Sequence, residues 1–358
     1  MANFAVAFSN NHTLSMIHFD SDYMRGACPE IMQRLVATNL QQTTGYGTDP
    51  YTQHAKQLII EACGLPDGEV ELLVGGTQTN ATVIDALLRR HEGVIAAETA
   101  HINVHEAGAI EASGHKVLTV ASADGKIDAA TVEKYITDFY ADETYLHMVA
   151  PGMVYISHPT EYGTLYSRQE LEQLSAVCRR AGIPLYVDGA RLGYALGSDS
   201  NDITLADLGR LADAFYIGGT KVGALFGEAV VLNRRGRIPN FLTVVKQHGA
   251  LLAKGRLLGL QFETLMTDGL YERLGRHGVE MAMKLKKGFL DAGYRLYIDS
   301  PTNQQFFLLP NTVIDRLLQS VSFELWGPRQ PELTPVRFVT DWATTEADVD
   351  ELIALLKN

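Results

Sequence analysis

Ala214-Phe215-Tyr216-Ile217-Gly218-Gly219-Thr220-Lys221-Val222-Gly223-Ala224-Leu225-Phe226-Gly227-Glu228-Ala229-Val230-Val231-Leu232 is the stretch that decides the fold. Two apolar, β-prone runs flank a Gly/Thr turn, and the turn carries one lysine, Lys221. An ammonium between buried strands is poorly solvated, so its pKa falls and the amine becomes a usable nucleophile. Such a lysine suits a Schiff base with a carbonyl cofactor. A lysine at a strand end can equally snorkel into water. The flanking sequence has to separate the two readings.

Upstream, short β-like runs alternate with helical ones. Strands are expected at 70–74, 94–97, 117–120, 152–157, 184–187, 214–217 and 228–232. Helices are expected at 77–90, 103–112, 128–138 and 167–181, after a Pro29-led helix reaching Leu40, a loop at 45–50 and a helix to Cys63. Alternation of this kind predicts an α/β fold, a mostly parallel central sheet with helices on both faces. Downstream the rhythm changes. Residues 240–292 read as long helices broken at Gly269 and Gly278. Strands near 295–298, 305–309, 321–326 and 336–340 and a helix at 345–357 follow. This is a smaller α+β layout, so the domains are read as a leader at 1–18, a large domain at 19–245 and a small C-terminal domain at 246–358.

The composition of the 358 residues is that of an ordinary globular chain, 46% hydrophobic and 20% charged. A net charge of −12 argues against nucleic acid or an anionic membrane as the main partner. The three cysteines, Cys28, Cys63 and Cys178, are sparse, odd in number and without metal-ligand spacing. They fit a reduced, cytoplasmic setting. No apolar run approaches a transmembrane length, and the first residues lack the basic start and apolar core of a signal peptide.

Four motifs bear chemistry. Gly75-Gly76-Thr77-Gln78-Thr79-Asn80 joins a strand to an apolar helix. Glycines admit close backbone approach and a helix N-terminus offers free N–H groups, so the turn reads as a phosphate site or as an ordinary turn capped by Thr77. Asp188-Gly189-Ala190-Arg191 follows a strand, where open α/β sheets bind ligands. Asp188 there can keep a pyridine nitrogen protonated and Arg191 can reach a carboxylate or phenolate; the alternative is an Asp–Arg ion pair fixing the turn. His101 and His105, with Glu106, offer a ring to stack on an aromatic cofactor, a hydrogen-bonded structural role or, least favoured, a metal site. Arg337 lies in a β-like run, alternating with Val336 and Phe338, and reads as a carboxylate clamp or a solvated strand residue.

In this order, the motifs resemble fold-type I pyridoxal-phosphate enzymes. More narrowly, the chain resembles the threonine aldolase / β-eliminating lyase family, and its phenylserine-aldolase-like branch, across roughly residues 19–358. The matching stretches are Phe-Asp-Ser-Asp, Gly-Tyr-Gly-Thr-Asp-Pro, Gly-Gly-Thr-Gln-Thr-Asn, Ala-His-Ile-Asn-Val-His-Glu, Val-Asp-Gly-Ala-Arg-Leu-Gly, Gly-Gly-Thr-Lys and Val-Arg-Phe-Val-Thr. The resemblance implies pyridoxal 5'-phosphate held by Lys221, with Asp188 on its pyridine nitrogen, His101 stacked on its ring and its phosphate cradled by Gly75, Gly76, Thr77 and Gln78. It implies that Ser21, Arg191 and Arg337 contact the α-carboxylate of a small amino-acid substrate. Arg256 or Lys254 would reach the phosphate, and Tyr46 the site, from a neighbouring subunit of a homodimer or homotetramer.

Two departures stand out. Low-specificity members carry an active-site histidine in a Thr-His-Asn-Gly stretch, where this chain reads Pro159-Thr160-Glu161-Tyr162-Gly163-Thr164. Glu161 takes that position and can act as the base if burial raises its pKa. Val222 follows the lysine, where relatives often have glycine. The reaction implied is cleavage of a β-hydroxy-α-amino acid to glycine and an aldehyde. β-Elimination, transamination and racemisation use the same cofactor residues, and a non-catalytic binding protein keeping the fold is the rival from another class.

Overall fold

The structure, a computed structural model, describes residues 16–357; residues 1–15, most of the expected leader, lie outside the described residues. The chain enters through β1 (Ile17–His18) and continues with β2 (Glu69–Leu73), β3 (Glu92–Ala97), β4 (Val117–Val120), β5 (Ala150–Ser157), β6 (Leu185–Asp188), β7 (Ala214–Gly218) and β8 (Glu228–Leu232). Strands β2–β8 form one seven-stranded sheet in the order β2-β8-β7-β6-β5-β3-β4. Only β8 runs against its neighbours, pairing antiparallel with both β2 and β7. All other pairs are parallel. The parallel strands are apolar on both faces because helices cover both.

Local chemistry sets the helix ends. Asp49 accepts from the Thr52 N–H at 2.9 Å and Pro50 takes the first position of Pro50–Ala62. A capping box of Ser167 and Glu170 opens Arg168–Ala181, which ends on left-handed Gly182.

The expected helix at 103–112 is two short helices, His101–Val104 and Ala109–Ala112. They are separated by Ala107 and Gly108, both with positive φ (50° and 72°), which interrupts the helical ladder. Gly278 does not break a helix either; it lies inside Leu270–Asp291, where an added Cβ would sit 2.6 Å from a Tyr194 ring carbon. Its lack of a side chain serves close packing. The short helices Leu192–Leu196, Leu205–Leu211 and Asn311–Leu317 were not foreseen.

The second unit is a four-stranded antiparallel sheet of β9 (Arg295–Ile298), β10 (Gln304–Pro310), β12 (Glu324–Leu325) and β13 (Leu333–Val339), in the order β12-β13-β10-β9. Between β10 and β12, β11 (Val321–Ser322) pairs in parallel with β1. The segment read as leader therefore contributes Ile17, and Phe19 after it, to the small unit's apolar cluster. The two clusters do not divide at residue 245. Leu270, Tyr271 and Val279 of Leu270–Asp291 join the large cluster, while Met281, Leu285 and Phe289 join the small one. One amphipathic helix is buried by both cores. Among the described residues no helix is long and apolar enough to cross a membrane.

Candidate active site

The carboxyl ends of the parallel strands meet along one sheet edge. β2 leads into the glycine turn, β5 to Glu161, β6 ends on Asp188, and β7 leads to Lys221. β8 starts at that edge with Glu228, which pairs with Leu73 and Gly218. Together they line a cavity of about 220 Å³ containing Gly76, His101, Glu161, Asp188, Lys221 and Glu228. It adjoins a second of about 300 Å³ toward Arg337, Glu324 and Trp326; Lys221, Arg191, His101 and Glu161 line both.

Gly75 caps the helix Gly76–Leu87 without a side-chain bond, and the first helical bond runs from the Thr79 N–H to the Gly75 carbonyl at 2.9 Å. Thr77 is therefore inside the first turn rather than its cap. The N–H groups of Gly76, Thr77 and Gln78 have no partner within the helix. An added Cβ at Gly75 would meet nothing within 4 Å, and at Gly76 only the Tyr216 hydroxyl, at 3.3 Å. This open helix start has the free N–H groups and the space that an anion would need.

Asp188 is buried but heavily hydrogen-bonded. Tyr216 donates to Oδ1 and Tyr155 to Oδ2, each at 2.6 Å. The Asn80 amide donates to Oδ2 and the Ala190 N–H to Oδ1, each at 2.9 Å. Burial opposes ionisation, yet the two tyrosine bonds and the nearby His101 outweigh it, so the carboxyl sits below the usual range. His101 Nδ1 bonds Glu106 at 2.8 Å, and Glu106 also accepts from Asn80 at 2.7 Å. The imidazole at the cavity wall is thus fixed through the same network.

Lys221 follows the last strand residue of β7 by a short turn, its carbonyl held by the Tyr194 hydroxyl at 2.6 Å. Burial, and then Arg191, push its pKa down; Asp22, Asp188 and Glu228 pull the other way. Arg191 does not pair with Asp188. It makes a buried two-point ion pair with Asp22, at 2.7 and 3.0 Å. Asp22 stays ionised below the ordinary range because Arg191 and Lys221 outweigh the burial that opposes it. Burial pushes the Glu228 carboxyl up to about 8, against a 2.8 Å hydrogen bond from Thr220 and the attraction of Lys221.

Glu161 accepts from the His101 N–H at 2.9 Å and the Ser157 hydroxyl at 2.7 Å, both on Oε1. Burial raises its pKa, with Asp188 adding to the rise and the Ser157 bond opposing it. Arg337, on β13, bonds Gln304 at 2.8 Å and Glu324, and its guanidinium lies 5.0 Å from the Trp326 ring centre.

Not every residue of the sequence reading converges here. Ser21 lines a separate pocket with Arg25 and Asp341. Gln78 donates to the His248 carbonyl at 3.2 Å. Tyr46 is exposed, with φ 57° and the Lys246 amine 4.7 Å from its ring centre. Lys254 and Arg256 line a further cavity beside Gly45; Arg256 donates to the carbonyls of Gln41 at 2.8 Å and Thr38 at 3.0 Å. His105 lines only the outer cavity. Among the described residues no group of three or more ligand side chains is placed to hold a metal ion.

Sequence reasoning missed Asp22, Asn80, Tyr155, Tyr216, Glu228 and Glu324. Asp22 and Asn80 lie inside quoted motifs, and Tyr216 and Glu228 inside the lysine stretch itself. Tyr155 carries no local signal, since an aromatic residue in an apolar strand reads as core.

Residues 18–308 match the family model described as Beta-eliminating lyase. A low specificity L-threonine aldolase of Pseudomonas sp. (strain NCIMB 10558) is 30% identical over 350 residues, covering 94% of this chain and 96% of its own. The structure of Leishmania major threonine aldolase superposes with a TM-score of 0.92 at 44% identity, covering 95% of this chain and 98% of that one. Aspartate aminotransferase from Thermus thermophilus, at 16% identity and a TM-score of 0.70 over 96% of this chain and 91% of its own, shares the fold.

Proposed function

The chain belongs to the β-eliminating lyase family and is a threonine-aldolase-like lyase, and we propose that it cleaves a β-hydroxy-α-amino acid to glycine and an aldehyde. L-Threonine, L-allo-threonine and phenylserine-like compounds are the substrates proposed. The observation that carries this reading is the meeting of Lys221, Asp188, His101 and Glu161 in one cavity that opens toward Arg337.

Pyridoxal 5'-phosphate is the proposed cofactor, and the residues present fit it. The bare start of Gly76–Leu87 suits its phosphate, Asp188 its ring nitrogen, His101 its ring face and Arg191 its phenolate. When bound, the group supplies an electron sink for the bond that breaks.

The protein's own residues do the rest. Lys221, its pKa lowered by burial and the field of Arg191, gives up its proton more readily than an exposed lysine and supplies the amine for covalent attachment. Arg337, with Arg191 beside it, clamps the substrate carboxylate and fixes which bond faces the ring, a positioning effect. Glu161 takes the proton from the β-hydroxyl. Its Oε1 accepts both protein hydrogen bonds, which leaves Oε2 for the substrate. Its raised pKa makes it a stronger base than an exposed carboxylate.

We further propose that the active site is shared between copies in a homodimer or homotetramer. Arg256 and Tyr46 lie away from the cavity of their own chain, and Val36 and Leu40 nearby are 74% and 93% exposed. A cytoplasmic location fits three cysteines that are all buried and free.

The test is an absorption spectrum of purified protein before and after borohydride, then addition of L-phenylserine and L-threonine. A borohydride-sensitive cofactor band, lost in Lys221→Ala, with glycine and aldehyde released is the expected result. A sensitive band without aldehyde would move the activity to elimination or transamination. No band even with added cofactor would leave a binding protein.

A further inference from the structure

The carboxylate of Asp188 is unusually full. A carboxylate offers about four lone-pair sites. Here four donors already occupy them: Tyr216 and Ala190 on Oδ1, Tyr155 and Asn80 on Oδ2. The two phenol bonds, at 2.6 Å, are in the short range of charge-assisted O–H···O⁻ bonds. Asn80 is fully committed within the set, while the Tyr155 hydroxyl has the Ser157 hydroxyl as a second neighbour at 3.3 Å. Asn80 gives its second amide hydrogen to Glu106 at 2.7 Å, and its carbonyl accepts from Tyr186 at 2.9 Å. Tyr155, Tyr216 and Asn80 are all buried. A ring nitrogen approaching Asp188 meets a charge already spread over four hydrogen bonds.

We infer that Tyr155 and Tyr216 limit how strongly Asp188 draws a proton onto the cofactor's ring nitrogen, and so steer the enzyme toward aldol cleavage and away from transamination. The inference rests on the cofactor reading above. The chemistry is that of the competing reaction. In transamination the proton on the amino acid's α carbon ends on the cofactor's former carbonyl carbon. The amino group stays with the cofactor, and water releases a 2-oxo acid. That route needs electron density to move far into the ring, which a protonated ring nitrogen favours. With the proton held weakly, density remains at the α carbon after the Cα–Cβ bond breaks. Protonation there returns glycine. Tyr155 and Tyr216 act through Asp188 and are positioning residues, not catalytic ones.

The experiment uses holoenzyme reconstituted with pyridoxal phosphate labelled with ¹⁵N in the ring, in wild type, Tyr155→Phe, Tyr216→Phe and Asp188→Asn. Each Tyr→Phe change should move the ¹⁵N resonance toward the protonated position. Each should also raise the rate of cofactor amination by L-alanine, relative to aldol cleavage, by about tenfold, the equivalent of one pK unit. Asp188→Asn should move the resonance the other way. Substituting 3-fluorotyrosine at 155 strengthens the donor without removing an atom, and should shift the resonance in the direction of Asp188→Asn. An unmoved resonance in both Tyr→Phe variants, with Asp188→Asn displaced, overturns the inference and leaves the cofactor reading standing. An unmoved resonance in Asp188→Asn, or no bound label in wild type, overturns the cofactor reading and the inference with it.

Discussion

Glu161, Glu324 and Glu228 are three carboxyls near one lysine, and their surroundings give them different work. Glu161 is buried and its pKa is raised. If it is the base, the acid limb of kcat/KM should lie above the ordinary carboxylate range. Glu161→Gln should abolish that limb and cut kcat by on the order of 10²–10⁴; a limb that persists in the variant would remove Glu161 from the role. Glu324, whose side chain is 42% exposed, pairs with Arg337 and so competes with a substrate carboxylate for it. Glu324→Gln should lower KM for L-phenylserine by roughly fivefold, the scale of a partly exposed ion pair, and a higher KM would contradict this. Glu228 titrates near 8 in the folded protein against about 4.3 for an ordinary glutamate. Between those values the native state holds a proton that the unfolded chain has lost. Stability therefore falls as pH rises through this window. Glu228→Gln cannot charge, so its Tm advantage over wild type should be larger at pH 8 than at pH 5.

At the scale of elements, the helix Leu270–Asp291 joins the two cores, and Gly278 is its point of closest approach. Its position against the Tyr194 ring also brings its carbonyl within 2.6 Å of the Thr340 hydroxyl. Gly278→Ala keeps a good helix former but overpacks this contact, so it should destabilise by about 1–3 kcal/mol, read by denaturant melts. Helix propensity alone predicts the opposite sign. The same position shows how far sequence carries. The strands from β2 to β8 were legible because each is a short, mostly apolar run between turn residues, with β2 alternating glutamates and apolar residues. Gly278 was misread as a break because glycine in a helix and glycine ending one look alike locally. Ala107 and Gly108 were missed as a break for the complementary reason: Ala107 adopts φ 50° with no sequence cue.

For the whole molecule, the proposed sharing of sites makes a prediction that no single chain can. Arg256 is engaged with the loop at Thr38 and Gln41 of its own chain, away from its own Lys221. If a neighbour's phosphate is its target, Arg256→Ala and Lys221→Ala homomers should each be nearly inactive. Co-expressed, they should regain activity through mixed oligomers that carry one intact site. Failure of mixing to restore activity, with mixed oligomers present, would place Arg256 outside the site.

The chain by itself determined the alternation of strands and helices, the order of the motifs and the identity of Lys221, Asp188, His101 and Arg337 as candidates. These follow from periodicity and from residue types whose chemistry is intrinsic. Only the tertiary structure decided the partners and the directions in which the pKa values shift. Asp22, far from Arg191 in sequence, is the carboxylate that pairs with it. Tyr155, silent in sequence, donates to Asp188 because β5 and β6 are neighbours in the sheet. Burial pushed Lys221 down and Glu161 and Glu228 up. Desolvation and hydrogen bonding depend on what surrounds a group in three dimensions, and local sequence does not contain that information.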